Sequence, residues 1–163
     1  MLLSVKKLLK FNIKELWLLT YAWFVFLKWD FLISSINFKK WREQINNATF
    51  EHDKNDLAIN TTKLEHVKLI INMSEIAGRH HIRKMNCLRR CLTQKQLLNN
   101  HGYHCNLHLG VKIEQNNLKA HSWLSFQGVV INDSEDVSSR YSELKMANQQ
   151  STICDQVINL TSQ

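Results

Sequence analysis

Several familiar signatures are missing from this chain. Its four cysteines, Cys87, Cys91, Cys105 and Cys154, include no C-x-x-C pair, so the commonest spacing of a structural zinc site is absent. Nothing near the N-terminus resembles a small-residue cleavage site behind a signal segment, and a reduced, cytoplasmic setting is the expectation. In that setting the five N-x-S/T triplets, beginning at Asn47, Asn60, Asn72, Asn132 and Asn159, carry no weight. The apolar run Leu16 to Leu27 has twelve residues, short of the roughly twenty that a membrane span needs. Nor is the composition that of a disordered chain: 44% apolar and 21% charged over 163 residues suits one globular domain with a real core.

The net charge of +7 is spread along the chain. It favours an anionic partner, whether acidic peptide, membrane surface or nucleic acid, without choosing among them. Aromatics interleaved with a Lys/Arg patch are not evident on the predicted strands, so nucleic acid is not expected. At the N-terminus the apolar run is interrupted by Lys28-Trp29-Asp30 and resumes at Phe31-Leu32-Ile33, flanked by Lys6, Lys7, Lys10, Lys39, Lys40 and Arg42. This reads as a pair of buried or partner-docking helices, with a helix lying at the inner membrane face as the alternative. Polar residues 41–60 read as a helix end and connector. The expected organisation is therefore a helical extension over 1–60, a core over 61–147 and a polar tail over 148–163.

Within the core, Leu64, Val67, Leu69, Ile70, Ile71, Met73, Ile76 and Ala77 recur at helical steps after Thr61-Thr62, a plausible cap, and Gly78 is expected to loosen the helix. The basic run Arg79 to Lys84 reads as a solvated turn rather than an anion site. A second helix should start at Asn86 or Cys87 and stop at Asn99 to Gly102, the glycine supplying the left-handed residue of a C-cap. The period then changes to two: Cys105, Leu107, Leu109, Val111 and Ile113 alternate with His104, Asn106, His108, Gly110 and Lys112. Two further strands, Lys119 to Phe126 and Val129 to Asn132, complete an antiparallel meander. The fold class is α+β, a Cys-bearing helix packed on that meander.

Chemistry enters with Cys87, Ala120-His121-Ser122-Trp123 and Asn132-Asp133. A thiol in the first turn of a helix meets free N–H groups and the positive end of the macrodipole, which favour thiolate. An imidazole and a carboxylate on neighbouring strands complete what a cysteine nucleophile needs. A three-residue loop centred on Gln127 would set His121 opposite Asp133, whereas a two-residue loop at Gln127-Gly128 would turn them to opposite faces. The triad thus requires the longer loop or a bulge. Cys91, one turn after Cys87, reads as a small buried hydrophobe. Zinc held by Cys87, Cys91, His104, His108 and His121 is the rival chemistry, but their spacing matches no common structural site. No metal and no cofactor are expected, and His104 and His108 read as a solvated strand face.

Cys87-Leu88-x-Arg90-x-Leu92, Leu97-Leu98-x-x-x-Gly102, Leu109-Gly110-Val111-Lys112, Ala120-His121-Ser122-Trp123 and Ile131-Asn132-Asp133 together resemble the B-type leader peptidase of lasso peptide biosynthesis, over about residues 60–145. That resemblance implies a papain/transglutaminase-like core with Cys87 as nucleophile, His121 as general base and acid, and Asp133 orienting the imidazole. Cys91 and Ser122 depart from the family pattern, where a small residue such as Ser and an Ala are usual. Fused relatives carry a winged-helix-like leader-binding unit, whereas residues 1–60 here read as apolar helices. The resemblance therefore implies a stand-alone peptidase that meets its precursor peptide through a separate leader-recognition protein. The asparagine-synthetase-like cyclase and an ABC exporter are further implied partners, and coupling to nucleotide hydrolysis is left open.

Overall fold

The computed structural model describes residues 11–35, 61–115 and 117–144. The expected connector, the polar tail, the boundaries at 60 and 147 and the basic flanks of the apolar run lie outside these residues. Helix α1 (Ile13–Ser35), α2 (Thr61–Arg79) and α3 (Cys87–Asn100) are followed by β1 (Asn106–Glu114), β2 (Asn117–Phe126), β3 (Val129–Val130), the single turn α4 (Val137–Arg140) and β4 (Ser142–Glu143).

In place of a helix pair, the described N-terminal residues form one continuous helix of 23 residues. Lys28 lies on its exposed side, where Nζ donates to Gln96 at 3.2 Å. Asp30 turns inward to Arg89 at 3.0 Å, so both polar residues find partners without breaking the helix. Uninterrupted, α1 is long and apolar enough to cross a membrane by length and composition, which the twelve-residue run was not. Its inner face, Leu18, Leu19, Ala22, Val25, Phe26 and Trp29, is buried against α2 and α3. Trp17, Phe24 and Phe31 recur every seven residues on the outer face and stay exposed.

Helix α2 ends at Arg79, one residue after Gly78, and the N–H groups of His80 and His81 turn back to the carbonyls of Ala77 and Gly78 at 3.2 and 3.4 Å, in keeping with a helix that loosens at the glycine. A Cβ at Gly78 would lie 3.1 Å from Phe26 Cζ, so the glycine admits the Phe26 ring between α1 and α2. Helix α3 has both expected ends. Asn86 is the N-cap, its side chain accepting the Arg89 N–H at 3.0 Å. At the C-terminus Gly102 has φ +78°, and the N–H groups of Tyr103 and Gly102 return to the carbonyls of Leu98 and Asn99 at 2.9 and 3.0 Å, closing a Schellman turn. Leu88, Leu92, Leu97 and Leu98 of α3 join Phe26, Val67, Ile70 and Leu124 in one core. Burying each such side chain is worth roughly 1.5–3 kcal/mol.

The sheet has the order β3-β2-β1-β4 and is antiparallel throughout. Strand β1 starts at Asn106, and its alternation holds only in part: Leu109 is buried but Ile113 is 78% exposed, because the far end of the β1–β2 hairpin extends past the helices. The other face is not the solvated surface expected. Gly110 is buried, and β4 and Tyr141 cover it. His108 stacks on Trp123 at 5.5 Å, and its two nitrogens meet Ser125 Oγ at 2.7 Å and Glu143 Oε1 at 2.6 Å.

Candidate active site

Cys87 is the first helical residue of α3, half-buried and unpaired with any other sulfur. The Asn86 side chain engages the Arg89 N–H, and the first-turn N–H groups nearer Cys87 have no intrahelical acceptor.

The β2–β3 loop is the shorter of the two alternatives. Ser125 pairs with Val130 and Phe126 with Val129, and Gln127 (φ 49°) with Gly128 (φ 81°) forms a type I′ turn. His121 and Asp133 nevertheless meet, His121 Nε2 lying 2.5 Å from Asp133 Oδ2. The requirement for a longer loop or bulge was wrong because it took the ladder as continuing to Asp133. Strand β3 ends at Val130, the last ladder bond runs from Ile131 N–H to the Leu124 carbonyl at 3.0 Å, and the chain bends over Ile131–Asp133. Past that point residue parity no longer fixes the face.

Asn132 holds the bend. Its Oδ1 accepts the Leu124 N–H at 2.7 Å, replacing the carbonyl that β3 would have supplied. Its Nδ2 donates to Gln94 Oε1 at 2.7 Å and to Cys91 Sγ at 3.2 Å. Gln94 in turn donates to Glu75 at 2.7 Å, so a buried polar chain ties the bend to α3 and α2. Ser122 lies two residues before Leu124 and turns its N–H to the same edge of β2. No β3 residue reaches it, and its dipole favours the Cys87 thiolate. The buried Ser122 hydroxyl has no hydrogen-bond partner among the described residues, and it stands near enough to the sulfurs of Cys87 and Cys91 to favour both thiolates.

Burial pushes the Cys87 thiol up. The His121 imidazole and the Ser122 hydroxyl and N–H outweigh it, and the thiol ends below its ordinary value. His121 is raised, chiefly by its hydrogen bond to Cys87 and, against partial burial, by Asp133. For Asp133, burial is outweighed by His121 and the Ser134 N–H, which accounts for its lowered value. That N–H donates to Oδ1 at 2.7 Å, and Arg140 stands 3.7 Å from the same oxygen. The directions favour moving the Cys87 proton toward His121, with the Asp133 carboxylate behind the imidazole. Cys91 differs: burial pushes it to about 12, and it remains a thiol at neutral pH.

The imidazole is held from the side as well. Tyr141 packs on it at 5.1 Å and Trp123 at 6.3 Å. A Cβ at Gly110, the cross-strand partner of His121, would come within 2.8 Å of both the Trp123 ring and Tyr141 Cβ, so only glycine lets these rings close over the strand.

A family model described as the transglutaminase-like superfamily matches residues 33–146, well over half of the chain. The chain belongs to the transglutaminase-like superfamily. No curated protein and no solved structure matches it. The transglutaminase-like domain begins inside α1 and extends past β4, so it contains Cys87, His121 and Asp133 with all the groups that support them. Among the described residues no three His, Cys, Asp or Glu side chains converge as metal ligands. His104 is exposed and His108 is engaged by Glu143 and Ser125.

Reading the sequence alone missed the roles of Asn132, Ser122, Gly110 and Tyr141. Gly110 carried a signal, as a glycine inside an alternating strand marks a close approach. The roles of Asn132 and Ser122 depend on where β3 ends, which the pattern of residues does not show.

Proposed function

We propose that this transglutaminase-like protein is a cysteine peptidase that removes the leader from a ribosomally made lasso-peptide precursor before macrolactam cyclisation. The observation that carries the peptidase reading is the convergence of Cys87, His121 and Asp133, with the thiol lowered and the imidazole raised. The choice of substrate rests on the joint spacing of the five sequence blocks from Cys87 to Asp133.

In this reading the Cys87 thiolate attacks the carbonyl of the last leader residue. The N–H of Cys87 at the head of α3 is one donor to the oxyanion that forms. His121, its Nε2 engaged by Asp133, protonates the leaving amine, and the tetrahedral intermediate collapses to a thioester. The same imidazole then deprotonates a water, which hydrolyses the thioester and restores the thiolate. Acyl transfer to an amine uses the same groups up to this last step. A separate winged-helix-like recognition protein would bring the leader, and the exposed Trp17, Phe24 and Phe31 stripe of α1 offers it an apolar surface. The cyclase and an exporter would follow in the same sequence, at the cytoplasmic face of the membrane.

Mass spectrometry of precursor incubated with this protein and its recognition partner tests the reading. Cleavage lost in Cys87→Ala and kept in Cys91→Ala is the expected result. Cleavage in neither the wild type nor the variants would favour an inactive scaffold, and a mass increment from an added amine would favour transfer.

A further inference from the structure

The basic segment between α2 and α3 is the largely exposed turn its composition suggests. With the end of α2 and the first turn of α3 it encloses a cavity of about 450 Å³, whose wall includes Glu75, Arg79, His81, Arg83, Lys84 and Arg90. The one carboxylate there is already taken: Glu75 accepts from Arg90 Nε at 3.0 Å, from Arg90 Nη2 and from Gln94 Nε2 at 2.7 Å. Arg83 reaches Asp30 at 3.3 Å and Ser34 at 3.3 Å. Arg79 and Lys84 have no partner among the described residues, so the wall carries an uncompensated positive charge.

The His81 ring packs against Trp23 and Phe26 at 5.3 and 5.8 Å, with Nδ1 accepting the Arg83 N–H at 3.4 Å and Nε2 shut away from the cavity. Two cations in one concave wall, with no carboxylate left to them, fit a carboxylate.

The position identifies its source. Arg90 follows Cys87 by three residues on α3, and side chains so spaced stand about 5–6 Å apart at Cβ. An extended peptide advances about 3.3 Å per residue. We propose that this cavity is the subsite for an acidic side chain of the peptide substrate, one to three residues from the bond presented to Cys87. The assignment rests on the peptide-processing reading above, while the charge recognition itself does not require turnover.

The test uses the full-length Cys87→Ala protein, which cannot cut, and fluorescence anisotropy with two short fluorescein-labelled peptides that differ only in a Glu-Glu pair against Gln-Gln. The acidic peptide should bind about tenfold tighter at low ionic strength, with the preference shrinking as salt rises. Adding Arg79→Gln and Lys84→Gln together should abolish that preference, whereas Lys14→Gln on α1 should leave it intact. Arg79 and Lys84 are exposed and unpaired, so these substitutions preserve the fold, and Lys84→Arg should retain the preference. Equal binding of the two peptides overturns the proposal, as does a preference that survives the double substitution. Preference lost in that variant supports the subsite even where the wild-type protein leaves both peptides uncut, a result that counts against the peptidase reading alone.

Discussion

Asn132→Ala tests how the site is assembled, because one carboxamide there ends β3, aims Asp133 and closes a buried network. In the variant the Leu124 N–H and the Gln94 amide lose partners 2.7 Å away, and both residues are fully buried. An unsatisfied buried group costs about 1–3 kcal/mol. Water entering at the half-buried bend recovers part of that, so the expected loss is about 2–4 kcal/mol, a large share of the 5–15 kcal/mol typical of a domain. The bend would lose its anchor, and Asp133 its hold on His121. Urea denaturation reads the first effect, and the rate of iodoacetamide addition to Cys87 at pH 6, mapped by peptide mass spectrometry, reads the second. Asn132→Asp keeps an acceptor for Leu124 but sets a carboxylate against Gln94 Oε1, and should fall between wild type and Ala in stability. A loss under about 1 kcal/mol with unchanged Cys87 reactivity would refute the claim that Asn132 organises the site.

Other predictions follow from the same contacts. Gly110→Ala forces Trp123 and Tyr141 aside, at a cost of about 1–3 kcal/mol; a red shift in Trp emission and slower Cys87 alkylation should accompany it, and wild-type values for both would contradict the packing argument. Asp133→Asn removes a charge that raises His121, so the imidazolium is lost at lower pH and the alkaline limb of the pH–rate profile for peptide cleavage should move to lower pH, while an unmoved limb would mean the 2.5 Å contact carries no electrostatic weight. Stability should shift in the same sense. The raised His121 contributes fully below its ordinary 6.5 and loses that contribution as pH rises through its folded value, and the lowered Asp133 contributes above 3.8 and loses it as pH falls. Asp30→Ala leaves the Arg89 guanidinium, with its side chain 7% exposed, without its buried carboxylate and should cost about 3–5 kcal/mol in thermal or urea unfolding; a loss of only a few tenths would show that water reaches Arg89.

Helices α2 and α3 and the β1–β2 hairpin were legible because each rests on a short-range signal: apolar periodicity, Asn86 before Cys87, Gly102 after His101, and alternation from Cys105. The interrupted-helix reading failed at Lys28-Trp29-Asp30, since nothing local shows that Asp30 will meet Arg89 across the core. The hairpin register misled for a related reason. Gln127-Gly128 adopts a type I′ turn, with a glutamine at φ 49° where asparagine or aspartate is usual. The pairing of His121 with Asp133 was anticipated by residue type and order, but through a register the chain does not use. The actual route depends on Asn132, whose partners are 8, 38 and 41 residues away. The covered face of β1 stayed hidden because β4 is two residues long and Tyr141 lies outside any periodic segment.

The central claim is that Cys87 is held as a thiolate by His121. It is tested most directly by the pH dependence of iodoacetamide addition to each cysteine of the native protein, in wild type and His121→Ala. The account predicts a Cys87 midpoint below pH 9.0, its ordinary thiol value, with Cys91 and Cys105 protected by burial, and a Cys87 profile displaced to higher pH in His121→Ala. A Cys87 profile with an ordinary midpoint, unchanged by that substitution, would contradict it.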